Sequence, residues 1–140
     1  LGMMLNGILA GLVGITAGAD VVSVNSALFI GAVAGVLVVL SSRLMDRLQL
    51  DDVVGAVSVH LTCGIWGTLA VGLFSIDPLH TFTKQLLGVA AYAVVAFPLA
   101  FLIFFILKKT VGLRVSEEHE IKGLDSHEHG IRGYTIIYDE

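Results

Sequence analysis

Long apolar runs separated by short polar clusters set the rhythm of this chain. Positions 3–19, 27–42, 53–74 and 85–107 contain no Asp, Glu, Lys or Arg. A helix crossing a bilayer needs about 20 mostly apolar residues, so these runs predict four spans. The second run is on the short side, and the fourth is rich in aromatic residues and ends at Lys108 and Lys109. The pattern predicts an all-α, polytopic transmembrane helix bundle at residues 1–109, followed by a polar tail at 110–140.

Two features refine the spans. Gly7, Gly11, Gly14 and Gly18 recur in the first, and Ala27, Gly31 and Gly35 in the second. Small residues at these spacings let helix backbones approach closely where lipid gives no hydrophobic push between helices. The number of such seams suggests a larger bundle than four helices. Pro98 lies in the middle of the fourth span, where a missing backbone donor predicts a kink unless neighbours compensate.

Composition agrees with a membrane setting. The 140 residues are 56% hydrophobic and 14% charged, against about 45–50% and about 25% in soluble domains. The net charge of −4 comes mainly from the tail and gives no support for nucleic-acid binding. The single cysteine, Cys63, offers no disulfide framework. The opening "LGMMLNG" is apolar, without a cleavable signal or obvious initiator region, and suggests that a longer protein precedes it.

Basic residues orient the spans. Arg43 and Arg47 lie between the second and third, and Lys108, Lys109, Arg114, Lys122 and Arg132 follow the fourth. The loop at 18–26 has none, and the loop at 75–84 has only Lys84. The excess of Lys and Arg on the cytoplasmic side of membranes predicts a cytoplasmic 43–52 loop and a cytoplasmic C-terminus in a multi-pass cell-membrane protein.

The candidate chemistry lies in "VSVHLTCGIWGTLAVGLF", Val57 to Phe74. His60 is the one titratable imidazole in these spans. At helical spacing its face carries Ala56, Cys63, Gly64, Gly67 and Thr68, a stripe of small residues. Ionisable groups within membranes mark transport paths by default, whereas a buried histidine bonded to a neighbouring helix is the plain structural alternative. A closed zinc site needs four ligands, and no other His, Asp or Glu lies in any span. Asp52 immediately precedes the third span and is expected to cap it. In the tail, His119, Glu120 and His127 to His129 fit no zinc spacing and are expected to be solvated. No nucleophile–base pair, metal constellation or cofactor motif is visible, so no enzyme is expected.

Three segments in order, "LNGILAGLVGITAG", "DDVVGAVSVHLTCGIWGTLAVGLF" and "KKTVGLRVSEEHEIKGLDSHEHG", resemble the C-terminal part of the ammonium transporter (Amt) family. The resemblance implies helices eight to eleven of an eleven-helix fold whose first ten helices form two inverted repeats. It implies a homotrimer with one pore per subunit, ammonium or ammonia as substrate, and no cofactor. His60 matches the second of two pore histidines, and its partner on the fifth helix is not in this sequence. Gly123, Leu124, Asp125, His129 and Gly130 match the family's "GLD…HG" tail, which couples subunits and helps PII-type signalling proteins dock. Val53 replaces the proline common after the Asp pair, Leu61 replaces a common glycine, and "IRGYTIIYDE" matches no tail pattern. An ammonium-sensing receptor and a non-functional truncated product are the alternatives. A fused output domain beyond Glu140 would favour sensing.

Overall fold

The computed structural model describes residues 2–131. Leu1 and positions 132–140, which include Arg132 and the end of the expected tail, lie outside the described residues. The chain is all helical: α1 (Gly2–Thr16), α2 (Val24–Arg47), a π-turn (Ala56–Leu61) running directly into α3 (Thr62–Phe74), α4 (Phe82–Thr110), α5 (Glu117–Lys122) and α6 (Leu124–Glu128). By length and composition, α2, the π-turn with α3, and α4 are each able to cross a membrane. The first apolar helix, at 15 residues, is shorter.

The helices and the apolar runs differ in length. The second span, read as short at 27–42, is a 24-residue helix, whereas the first stops at Thr16 instead of reaching position 19. An apolar run measures what tolerates lipid, and a helix continues through polar residues that break no backbone bond. Ser23 caps α2, its hydroxyl accepting from the Ser26 amide at 3.2 Å, and Arg47 favours the negative end of the helix dipole in the last turn. In α1 the chain turns instead, with the Val21 and Val22 amides both donating to the Gly18 carbonyl.

Residues 1–94 and 95–140 form two compact units. In the first, α1, α2 and α3 pack together around Ala10, Ala34, Val38, Val59 and Cys63. The buried seam of α2 is Ile30, Ala34, Val38 and Ser41. The glycine stripe expected to pack is therefore mostly unused: a Cβ at Gly7, Gly11, Gly31 or Gly35 would meet nothing within 4 Å. The close approach is made by Gly14 and Gly67, where a Cβ on Gly67 would collide with the Gly14 carbonyl oxygen and lie 3.1 Å from the Gly14 Cα. At the other end of α3, the Ile76 amide donates to Val21 at 2.8 Å beside a single Val22–Ser75 bridge, joining two loops.

Helix α4 runs 29 residues without interruption through Pro98 and buries none of them. Pro98 supplies no amide for the Val94 carbonyl one turn earlier. On the second unit's part of α4, Phe97, Phe101 and Phe105 stack one turn apart at 6.3 and 6.2 Å, and the Lys109 ammonium lies 5.9 Å from the Phe105 ring.

Candidate functional site

The site is built where the 53–74 segment starts. Gly55 adopts φ +67°, a left-handed conformation that L side chains rarely adopt, and launches the π-turn. Its carbonyl accepts from both the Val59 amide (2.9 Å) and the His60 amide (3.1 Å), the doubled acceptance of a turn widened by one residue. The His60 ring folds back so that Nδ1 lies 3.3 Å from the same carbonyl. A carbonyl has no hydrogen to give, so Nδ1 is the protonated nitrogen of that contact. Nε2 takes no part in that contact.

Asp52 holds the other side of the turn. Its Oδ1 accepts from the Val57 amide at 3.0 Å, and its Oδ2 from the Ser58 amide at 2.8 Å and the Ser58 hydroxyl at 2.6 Å. The N-cap position itself belongs to Gly55, and Asp52 reaches the amides of the first turn from three residues earlier. The Ser58 hydroxyl first, then the Val57 amide, hold the Asp52 carboxyl below its ordinary range.

The six stripe residues differ in exposure. His60 and Ala56 are exposed, Cys63 and Gly67 are buried against α1 and α2, and Gly64 and Thr68 are half-buried. The π-turn explains the division. It inserts one extra residue per turn between Ala56 and Leu61, so the three-and-four spacing that holds within α3 does not carry back to His60. Within α3 the buried positions are Cys63, Gly67, Ala70 and Val71, a regular helical set. A Cβ on Gly64 would lie 3.9 Å from the Val13 side chain, and the Thr68 hydroxyl donates to the Gly64 carbonyl at 2.9 Å.

Further polar groups bond around the turn and α3, among them Thr62, Ser41 and Trp66, which the spacing argument did not single out. The Thr62 hydroxyl donates to the Val57 carbonyl at 3.0 Å and lies 2.9 Å from the Ser41 hydroxyl of α2. The Cys63 thiol reaches the Ala34 carbonyl at 3.5 Å and the Ser58 carbonyl at 3.7 Å, and the Trp66 indole donates to the Ile30 carbonyl at 3.0 Å. A signal was available: Ser58 and Thr62 are hydroxyls inside an apolar run, where each needs a partner.

The family model for the Ammonium Transporter Family matches residues 1–134. The chain belongs to the ammonium transporter family. It is 51% identical over 138 residues to sll1017 of Synechocystis sp., a protein named for ammonium transport, covering 97% of this chain and 31% of that one. It is 38% identical over 151 residues to the ammonium transporter Amt2 of Archaeoglobus fulgidus, covering 95% of this chain and 32% of that one. With Amt2 of Methanocaldococcus jannaschii the identity is 37% over 141 residues, covering 94% and 34%. The chain therefore spans about a third of the length of these relatives.

For an ammonium transporter family chain, the remaining candidate residues lie in the tail. Gly123 separates α5 from α6 at φ +88°, ψ 144°, and a Cβ there would lie 2.9 Å from Asp125 Oδ1. Leu124 opens α6, and the His129 amide caps it by donating to the Asp125 carbonyl at 3.1 Å. Gly130 follows at φ +67°. The His119 and His127 rings stack at 3.6 Å, while Arg114 pairs with Glu120 and Lys122 with Glu118. Among the described residues no group of three His, Cys, Asp or Glu side chains is placed to hold a metal.

Proposed function

We propose that this chain is the C-terminal third of an ammonium transporter, with His60 lining the path taken by the substrate. The observation that carries the reading is the attitude of His60. Its Nδ1 is engaged by the Gly55 carbonyl, while the residue is exposed on the side of the π-turn away from the packed core. Helices from the rest of the transporter complete the pathway against that side.

The chemistry follows from desolvation. A low-dielectric passage favours the neutral form of an amine. NH4+ gives up a proton at the mouth, NH3 passes, and the proton moves by way of histidine. Nε2 accepts a hydrogen bond from the passing NH3 and takes up and hands on the relayed proton at that same atom, while Nδ1–H stays on the Gly55 carbonyl. The assembly is a homotrimer in the cell membrane with a cytoplasmic C-terminus. The tail, through Gly123, Leu124, Asp125, His129 and Gly130, regulates the transporter and docks a PII-type protein.

The test is uptake of labelled methylammonium by the complete transporter, with K+ as competitor. His60→Ala should insert normally, because one lost hydrogen bond within a membrane protein costs only about 0.6–2 kcal/mol. It should lose flux or its discrimination against K+. His60→Glu should retain more flux than Ala, since a carboxyl group still exchanges protons. Unchanged flux and selectivity in a normally expressed His60→Ala protein return His60 to a packing role.

A further inference from the structure

The π-turn has a latch on its covered side, and nothing in the transport chemistry above uses it. The Thr62 hydroxyl donates to the Val57 carbonyl, five residues back, so its one hydrogen is committed. The 2.9 Å contact with Ser41 is then Ser41 donating to Thr62. This relay runs from α2, through two hydroxyls, to a carbonyl of the turn. Ser41 is buried, with 9% of its surface exposed. One residue later the Cys63 thiol repeats the geometry, reaching Ser58 five residues back and Ala34 on α2. Side chains at two successive positions therefore address carbonyls at the spacing that only a widened turn presents.

We propose that Thr62, with Ser41 as its donor, is a positioning residue that holds the widened turn and thereby the direction of the His60 ring. An ordinary α-helix advances about 100° per residue. A turn that relaxes from five-residue to four-residue bonding thus swings the residues before it by roughly that angle relative to α3. His60 is two residues before Thr62, and its contact with Gly55 spans the whole turn. Loss of the latch takes the ring off the Gly55 carbonyl. It also leaves the buried Ser41 hydroxyl without its acceptor. The inference rests on His60 facing the substrate path.

The experiment uses the complete transporter with Thr62→Val, which keeps the shape and removes the hydroxyl, Thr62→Ser, which restores it, and Ser41→Ala. Thr16→Val is the control, since that hydroxyl bonds only the Leu12 carbonyl of its own helix. Two quantities are read: methylammonium uptake kinetics, and the ring 15N signals of His60, assigned by their loss in His60→Ala. Thr62→Val should shift the His60 Nδ1 signal and lower the maximal rate about tenfold at nearly unchanged KM, the cost of a misdirected group. Thr62→Ser should restore both, Ser41→Ala should act in the same direction less strongly, and Thr16→Val should change neither. The double variant Thr62→Val with Ser41→Ala should be no worse than Thr62→Val, because the two act as one unit. An unshifted His60 signal in Thr62→Val overturns the proposal, and so does a Ser variant as impaired as Val. Should His60→Ala transport normally, the pore reading falls, while the ring signal still judges the latch.

Discussion

Two of the apolar helices make opposite use of their apolarity. The π-turn with α3 is the less hydrophobic span, yet 33% of its apolar window is buried, whereas the more hydrophobic α4 buries none of its own. The covered side of α3 is made of Cys63, Gly67, Ala70 and Val71, with Trp66 and Thr62 bonded to α2. The corresponding length of α4 carries Phe97, Phe101, Phe104 and Phe105 with Leu and Ile on every side, all exposed. In lipid, greasiness selects what enters the bilayer and does not select what packs. Small side chains and satisfied polar groups decide that.

The sharpest way to break this contrast is to ask for function from the covered side alone. One flank of α3 is packed and His60 is exposed, and the proposed path needs helices that residues 1–140 do not contain. Expressed alone in cells lacking ammonium transporters, the chain should give no saturable methylammonium uptake. Robust, saturable uptake would sink the reading of His60 as half of an incomplete pore.

The next effect in size compares one glycine from each helix. Gly67→Leu puts side-chain atoms where the Gly14 carbonyl stands, and should cost about 3 kcal/mol or prevent folding. Gly88→Leu on α4 meets open space and should change stability by less than about 0.5 kcal/mol. Thermal unfolding in detergent separates the two. Equal effects would show that α3 is no more tightly packed than α4.

Much of this contrast was legible in the residues, and the illegible part has a physical cause. Runs without charge marked all four apolar helices, because burying an unpaired charge in hydrocarbon is costly whatever the fold. Helices and apolar runs differ in length where polar residues continue a helix, as at Arg43 to Arg47, or where the chain turns early, as after Thr16. The family membership was readable from three ordered motifs, and the family model agrees. The widened turn at His60 was not readable. Spacing arguments assume 3.6 residues per turn, and the π-turn that Gly55 and Asp52 set up breaks that assumption just before α3. Nor does a glycine repeat say which glycine is used: Gly14 makes a close contact, while Gly7 and Gly11 make none.

A smaller effect sharpens the role of the turn itself. Asp52→Ala removes acceptors from the Val57 amide, the Ser58 amide and the Ser58 hydroxyl, and should cost about 2 kcal/mol. The sign with pH follows from the lowered folded-state pKa of Asp52. Its contribution is fully present above the ordinary carboxylate value and is lost as pH falls through the lowered one. The stability gap between the parent and Asp52→Ala should therefore be widest near neutrality and close in strong acid. A gap that does not change between pH 7 and the acid limit would remove the carboxylate from the capping role.

The smallest effect on the bundle comes from the tail, which is where the contrast between covered and uncovered regions reaches its limit. Gly123 holds φ +88° and ψ 144°, a conformation essentially reserved for glycine, and a Cβ there would crowd Asp125 Oδ1 at 2.9 Å. Alanine should cost about 1–3 kcal/mol at that joint. The strain acts on α5 and α6, two short helices with no buried side chain among the described residues. Gly123→Ala should therefore leave the unfolding temperature of the bundle unchanged within about 1 °C, since strain in a locally unfolding segment is relieved before the core opens. Limited proteolysis between Glu117 and Glu128 should quicken, reporting the loosened joint directly. In the complete transporter the same variant should insert normally and change flux, because the proposed regulatory contact depends on the angle between α5 and α6. If proteolysis quickens and both flux and PII-protein binding stay at the parent level, the joint is structural and the tail does not govern the pore through Gly123.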